Sequence, residues 1–187
     1  MFPLNLPNAL TVARILLVPV LVVALLADSD RGDVIAAIVF AVASATDFID
    51  GWLARSRDVV TTFGKAMDPI ADKLLVIAAL VTLVQLERLA VWVAVVIIVR
   101  ELAVTVARAQ APEVIAAAGW GKVKTVVQVA AIFFLILFDP SPVWVDVLVY
   151  AAVALTVVSG LDFVRALHRG TTPRAAEAAA APPSGRD

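Results

Sequence analysis

Polar residues interrupt this chain at intervals that match whole membrane-crossing helices. Six apolar runs can be traced: Ile15–Ala27, Val34 to about Leu53, Phe63–Leu86, Leu89 to about Ala107, Val123–Phe138 and Val143 to about Leu167. Between them lie short polar breaks: Asp28–Asp33, the Ala54–Lys65 stretch, Glu87–Arg88, a more polar connection containing Pro112, and Asp139–Pro142. The Asp-Pro and Ser-Pro pairs of the last break are turn signals. Residues 1–14 are too polar and too rich in proline to span. Pro7 and Asn8 mark a helix start, with Asn8 as cap and Thr11 one turn later. The pattern therefore predicts an all-α integral membrane protein, with six transmembrane helices preceded by a short interfacial helix. A cleaved signal peptide is disfavoured: no small-x-small site follows the first run, and the rest of the chain is itself apolar. One membrane domain is expected over 1–167. The Ala-, Pro- and Arg-rich remainder, 168–187, has no apolar period and is expected to be a disordered cytoplasmic tail.

Composition agrees with this pattern. Of 187 residues, 62% are hydrophobic, against about half in soluble domains. A net charge of −1 gives no pull toward nucleic acid. There is no cysteine and one histidine, His168, in the polar tail. Thiolate chemistry, disulfides and histidine-based metal sites or triads are thereby excluded.

Charge then sets the orientation. Six spans place both termini on one side. With the termini inside, the inner segments hold Arg14, Arg55, Arg57, Lys65, Arg108, Lys122, Lys124, Arg165, Arg169, Arg174 and Arg186, while the outer loops hold only Arg31 and Arg88. The positive-inside rule puts both termini in the cytoplasm. The predicted location is the cell membrane, multi-pass.

Two pairs of acids stand at the cytoplasmic edge of spans two and three: Asp47/Asp50 and Asp68/Asp72. A carboxylate at the centre of a bilayer costs roughly 2.5–3.5 kcal/mol, so something cationic is expected to meet them. Spacings of three and four put each pair on one helix face. Like charges this close share protons or bind cations. Hard oxygen donors on rigid helices suit Mg²⁺ or Mn²⁺, and two such ions are a common device for displacement at phosphorus. Gly51, Ala54 and Gly64 are small enough to let a flat ligand or backbone approach. Arg55 and Arg57 suit phosphate. The bland alternative is that these acids pair with Arg55, Arg57, Lys65 and Lys73 and only cap helix ends. Four acids at helical spacing beside small residues argue against it.

The run Asp47-x2-Asp50-Gly51-x2-Ala54-Arg55-x8-Gly64-x3-Asp68-x3-Asp72 resembles the signature of the CDP-alcohol phosphatidyltransferases at all eight fixed positions. Leu6-Pro7-Asn8-x2-Thr11-x2-Arg14, Phe63–Lys73, Arg100-Glu101 and Gly121–Thr125 resemble the bacterial branch that makes phosphatidylglycerophosphate. The likeness covers about residues 5–165. It implies a six-helix membrane fold, a homodimer, and transfer of a phosphatidyl group from CDP-diacylglycerol to glycerol 3-phosphate with release of CMP. It further implies that Asp47, Asp50, Asp68 and Asp72 hold two Mg²⁺ or Mn²⁺ ions, with Asp72 also the general base. Gly51, Ala54, Arg55 and Gly64, with Asn8, Thr11 and Arg14 from the N-terminal helix, would bind the CDP-lipid. The acceptor phosphate would fall to Arg100, Arg108, Lys122 and Lys124. For Asn8 and Arg14, a helix cap and an interfacial anchor are equally good explanations. For Arg100 the rival is a structural ion pair, and for the two lysines snorkelling to the interface.

Two other functions compete. The same chemistry could use phosphatidylglycerol (cardiolipin synthesis) or an inositol phosphate as acceptor. A divalent-cation transporter would instead need polar groups continuing to the far side, and the outer halves of the spans are apolar.

Overall fold

The computed structural model describes residues 6–57, 62–110 and 120–170, with side chains described over 11–46, 73–107 and 123–165. Six helices follow in order: α1 (Leu6–Leu26), α2 (Asp30–Arg57), α3 (Thr62–Gln85), α4 (Val91–Gln110), α5 (Trp120–Leu137) and α6 (Val143–Gly170). No strand occurs among the described residues. The expected interfacial helix is not a separate element. α1 starts at Leu6 and runs unbroken to Leu26, so Asn8 lies inside its first turn rather than capping it. Pro7 is tolerated there because the amide it lacks would have no intrahelical partner. At the other end α6 continues through Gly170, three residues past the expected domain boundary. The rest of the tail, 171–187, lies outside the described residues.

The helices close into a ring. α1 packs on α2 and α3, α2 on α5, α5 on α6, α6 on α4, and α4 back on α3. α3 also touches α2 and α5 over shorter stretches. The sequential pair α2 and α3 is therefore held mainly through α1.

The loops at one end of the ring are tied by a single guanidinium. Glu87 adopts a left-handed backbone (φ 61°) after α3. The Glu87 and Arg88 amides donate back to the Val84 and Leu83 carbonyls, at 3.0 Å each. This is the Schellman closure of a helix C-terminus. It turns the Arg88 side chain, 6% exposed, into a knot of acids from the other two loops of that end. Its Nη1 lies 2.8 Å from Asp33, its Nη2 3.0 Å from Asp28 and its Nε 2.9 Å from Asp139. Burial alone would lower the Arg88 pKa. Hydrogen bonding to Asp33, the charges of Asp33 and Asp139, and the bond to Asp28 outweigh it and hold the pKa above the ordinary arginine value. This contribution is present throughout the neutral range and is lost only at extreme alkaline pH. On the α1–α2 side, Ser29 caps α2 by accepting from the Gly32 amide at 3.2 Å. Asp30 and Asp33 in the first turn suit the helix dipole.

Because Asp28, Arg88 and Asp139 mark one end, the starts of α1, α3 and α5 and the ends of α2, α4 and α6 lie at the other. The aromatic side chains Phe134, Phe138 and Trp144 cluster beside the Arg88 end, as expected for an interfacial belt.

The exterior is apolar. Val20, Val23, Ile38, Val42, Val81, Val95, Val99, Val126, Val147 and Val157 are all exposed. Among the described residues one stretch, Val143–Arg165, is long and apolar enough to cross a membrane by length and composition; Thr11–Leu26, Lys73–Gln85 and Val123–Leu137 are apolar but shorter.

Candidate active site

Each helix carries a buried stripe, and the stripes change character along their length. Toward the Arg88 end they are hydrophobic: Leu21 and Leu25 of α1, Ala36 and Phe40 of α2, Leu80 and Leu83 of α3, Val93 and Ile97 of α4, Leu135 and Ile136 of α5, Val145 and Val149 of α6. Toward the opposite end they become polar. Thr11 and Arg14 are buried on α1, Lys124 and Gln128 on α5, and Thr156 on α6. Arg100 and Glu101 follow Ile97 by three and four residues on α4 and are largely buried. Among the described residues the bundle is thus largely apolar outside, and most of its buried polar groups lie in the half away from Arg88. Such a gradient cannot be explained as a hydrophobic core, since every buried polar group needs a partner or costs stability.

The four aspartates of the motif lie on helix, Asp47 and Asp50 in α2 and Asp68 and Asp72 in α3. Their side chains, with those of Gly51, Ala54, Arg55 and Gly64, are outside the described ones, as are those of Asn8, Arg108 and Lys122. Backbone register still places the acids. Asp47 and Asp50 come four and seven residues after buried Ala43, and Asp72 and Asp68 three and seven before buried Leu75. By backbone register each pair shares a helix face with that residue. Ala54 and Gly64 fall four residues beyond Asp50 and four before Asp68, in the same register. Residues 58–61 bridge Arg57 to Thr62, a covalent reach of at most about 18 Å, which keeps the acid-bearing ends of α2 and α3 near each other.

Two of the four expected pocket cations meet in the structure. Lys124, with a side chain only 3% exposed, bonds Glu101 Oε1. Arg100 Nη1 lies 3.3 Å from the same oxygen. Arg100 Nη2 donates to Ser159 Oγ at 3.0 Å, and Ser159 Oγ donates to the Thr156 carbonyl at 3.2 Å. Three helices, α4, α5 and α6, thus bring Arg100 and Lys124 to one carboxylate. Lys124 does not snorkel: its ammonium is turned inward. Asp72 and Lys124 each lie thirteen residues from the Arg88 end of their helices, a depth of about 20 Å at 1.5 Å per residue. Arg108 follows buried Val104 by four residues and keeps the register. Lys122 is two residues from Lys124, so the two cannot share a helix face.

Arg14 and Thr11 are each 3% exposed. That burial removes the interfacial-anchor explanation for Arg14, whose head would then be solvated.

Comparison with known proteins turns the motif into a family. The model of the CDP-alcohol phosphatidyltransferase family matches residues 4–158. The chain belongs to that family. It is 42% identical to a Bacillus subtilis (strain 168) protein named CDP-diacylglycerol–glycerol-3-phosphate 3-phosphatidyltransferase, across 85% of this chain and 93% of that one. It is 45% identical to a Mycobacterium tuberculosis (strain CDC 1551 / Oshkosh) protein named "Probable phosphatidylglycerophosphate synthase", across 88% of this chain and 82% of the other. A Haemophilus influenzae protein with the same name as the Bacillus one is 33% identical, over 86% of this chain and 92% of that one. This CDP-alcohol phosphatidyltransferase is therefore an enzyme of that class.

Sequence reasoning undervalues Glu101 and misses Ser159. Glu101 is visible as a charge inside an apolar run, the costly placement that marks a functional position, but in sequence it stands only as the neighbour of Arg100. Ser159 carries no signal, because a hydroxyl in an apolar helix is ordinary until its partner on another helix is known.

Proposed function

We propose that this CDP-alcohol phosphatidyltransferase transfers the phosphatidyl group of CDP-diacylglycerol to glycerol 3-phosphate, releasing CMP, within the cell membrane. The observation that carries the proposal is the polar half of an otherwise apolar bundle, with the Asp47–Asp72 motif in register with it. The names of the relatives support this acceptor. We further propose that all six helices span. Each has at least 18 residues, about 27 Å or more of helix against a hydrocarbon core of about 30 Å. Among the described residues, Arg14, Arg100, Glu101 and Lys124, which interrupt these runs, are buried or largely buried in the bundle. The excess of arginine and lysine in the segments of the polar end supports a cytoplasmic position for it, for both termini and for the site. A homodimer is the expected assembly.

Asp47, Asp50, Asp68 and Asp72 form a donor set that fits Mg²⁺ or Mn²⁺. All are hard oxygens on helix backbones, and neither thiol nor imidazole occurs in the stripes. Bound there, two ions would neutralise the pyrophosphate and the departing CMP. The remaining work belongs to the chain. Asp72 takes the proton of the acceptor hydroxyl, which is too weak a nucleophile without a base. Gly51, Ala54 and Gly64 leave room for the nucleotide, and Arg55, with Asn8, Thr11 and Arg14, holds the CDP portion. Arg100 and Lys124, joined by Arg108 in register, receive the acceptor phosphate. Lys122 acts, if at all, from another face of α5.

An acceptor panel tests this. Detergent-solubilised protein is given CDP-diacylglycerol with glycerol 3-phosphate, phosphatidylglycerol or inositol phosphate, with and without Mg²⁺. Phosphatidylglycerophosphate formed only with metal is expected. Product from another acceptor alone would overturn the acceptor, and no metal-dependent lipid product from any would overturn the mechanism.

A further inference from the structure

We propose that Glu101 is a positioning residue, one that aims Lys124 and Arg100 at the phosphate of the acceptor. The inference rests on the acceptor pocket proposed above and concerns how that pocket is held in shape.

Glu101 cannot itself bind the acceptor phosphate, since a carboxylate repels it. Its contacts are with cations: Lys124 Nζ and Arg100 Nη1 both reach the one oxygen, Oε1. The two cations come from different helices, α5 and α4. The carboxylate is thus the point at which the two helices' charges are registered to each other. Arg100 is held at a second point, Ser159 Oγ on α6 at 3.0 Å. A guanidinium fixed through both Nη atoms has its planar fork oriented. Lys124 needs the restraint more. An ammonium on a flexible four-carbon stem is a point charge with many rotamers, and burial at 3% exposure leaves it no solvent to settle in. Without Glu101, that ammonium would turn to another oxygen within reach of its stem.

A carboxylate that only neutralised buried charge would affect folding and every kinetic constant alike. A positioning carboxylate affects one substrate. The experiment measures KM for glycerol 3-phosphate, KM for CDP-diacylglycerol, kcat and the Tm of full-length protein for wild type, Glu101→Gln and Glu101→Asp. Losing a charge-assisted contact is expected to raise KM for glycerol 3-phosphate about tenfold to a hundredfold in Glu101→Gln. KM for CDP-diacylglycerol is expected to stay within about twofold. Glu101→Asp keeps the charge one methylene short and is expected to fall between the two. Lys124→Met should raise the same KM in wild type and add little in the Glu101→Gln background, because the two side chains act as a unit. An unchanged KM for glycerol 3-phosphate in folded Glu101→Gln overturns the proposal, as does an equal rise in both KM values. Should Glu101→Gln not fold, Glu101→Asp decides by the same criteria. Wild-type protein that makes no product from glycerol 3-phosphate overturns the acceptor assignment, and this proposal with it; the other outcomes overturn this proposal alone.

Discussion

At one end of the bundle, three carboxylates from two loops and a helix start surround a guanidinium supplied by the same chain. At the other, four carboxylates occupy successive turns of two helices, in a family whose chemistry is the transfer of a charged phosphoryl group. The first end shows its counter-ion; the side chains of the second lie outside the described ones, and it is read from helix register alone. Arg88 bonds Asp33 and Asp28 through its two Nη atoms and pairs with Asp139 through Nε, a closed ion cluster that serves as architecture. The aspartates of α2 and α3 follow another pattern: helical spacings of three and four, with small residues in the same register. The difference separates acids that hold the fold from acids proposed to do chemistry. It is sharpest where mutation should split stability from turnover.

Asp72→Asn should give the largest effect. Removal of a general base lowers rates by about 10²–10⁴, so CMP release should fall by that factor while CDP-lipid binding and Tm stay close to wild type. Parallel measurement of CMP release and of CDP-diacylglycerol binding checks it. Binding lost together with turnover would make Asp72 a metal ligand and not the base.

Arg88→Met should do the reverse. Removing one member of a buried pair leaves uncompensated charge and costs about 3–5 kcal/mol, or roughly 6–20 °C of Tm for a chain of this size. At a temperature where the variant is still folded, turnover should be near wild type. Adding Asp33→Leu should return part of the loss, since the stranded acid rather than the missing arginine carries most of the cost. A folded Arg88→Met protein without activity would erase the distinction between the two ends.

The same contrast separates what is legible in the amino-acid sequence from what is not. The Asp47–Asp72 motif is legible because its members are close in sequence, and they lie on α2 and α3 as the spacing predicts; its side chains are outside the described ones. The number of helices and their breaks are legible because apolar runs and loop charges are local features too. The Arg88 knot is not: its partners Asp33 and Asp28 are 55 and 60 residues away, and nothing in Glu87–Arg88 shows that a left-handed turn will aim the arginine inward. Nor is the ring order legible, with α2 packed on α5 and α3 on α4, because apolar stripes of similar composition do not name their partners. Arg14 and Lys124 resemble interfacial cations for the same reason. Their burial depends on which way each stripe faces, which only packing decides.

Gly32, four residues before Ala36 on the buried stripe of α2, tests the packing between these extremes. Alanine is the better helix former by about 1 kcal/mol. A Cβ at Gly32 would, however, sit 2.4 Å from the Ala24 carbonyl oxygen. That atom is backbone, so α1 and α2 would have to separate. Overpacking of this kind costs about 1–3 kcal/mol, and at so short a distance it should outweigh the propensity gain. Gly32→Ala should lower Tm by a few degrees and leave both KM values unchanged. A raised Tm would show that the α1–α2 hairpin opens cheaply and that the Arg88 end is less rigid than the contacts imply.

The smallest effect should come from a pair that belongs to neither end's design. Asp162 and Arg165, three apart on α6, approach to 3.5 Å with side chains 44% and 70% exposed. Both charges are well solvated, and holding two long side chains in one geometry costs entropy that offsets the weak attraction. Asp162→Asn should therefore change stability by less than about 0.5 kcal/mol, within the scatter of a thermal melt, and leave turnover unaltered. Against it the comparison acquires a scale. An acid exposed on the surface is nearly silent, an acid buried against its own arginine registers in Tm, and an acid in the motif registers in turnover. A change in turnover from Asp162→Asn would place α6 beyond Ser159 in the site, and would extend the polar half of the bundle to residues that its buried stripes do not include.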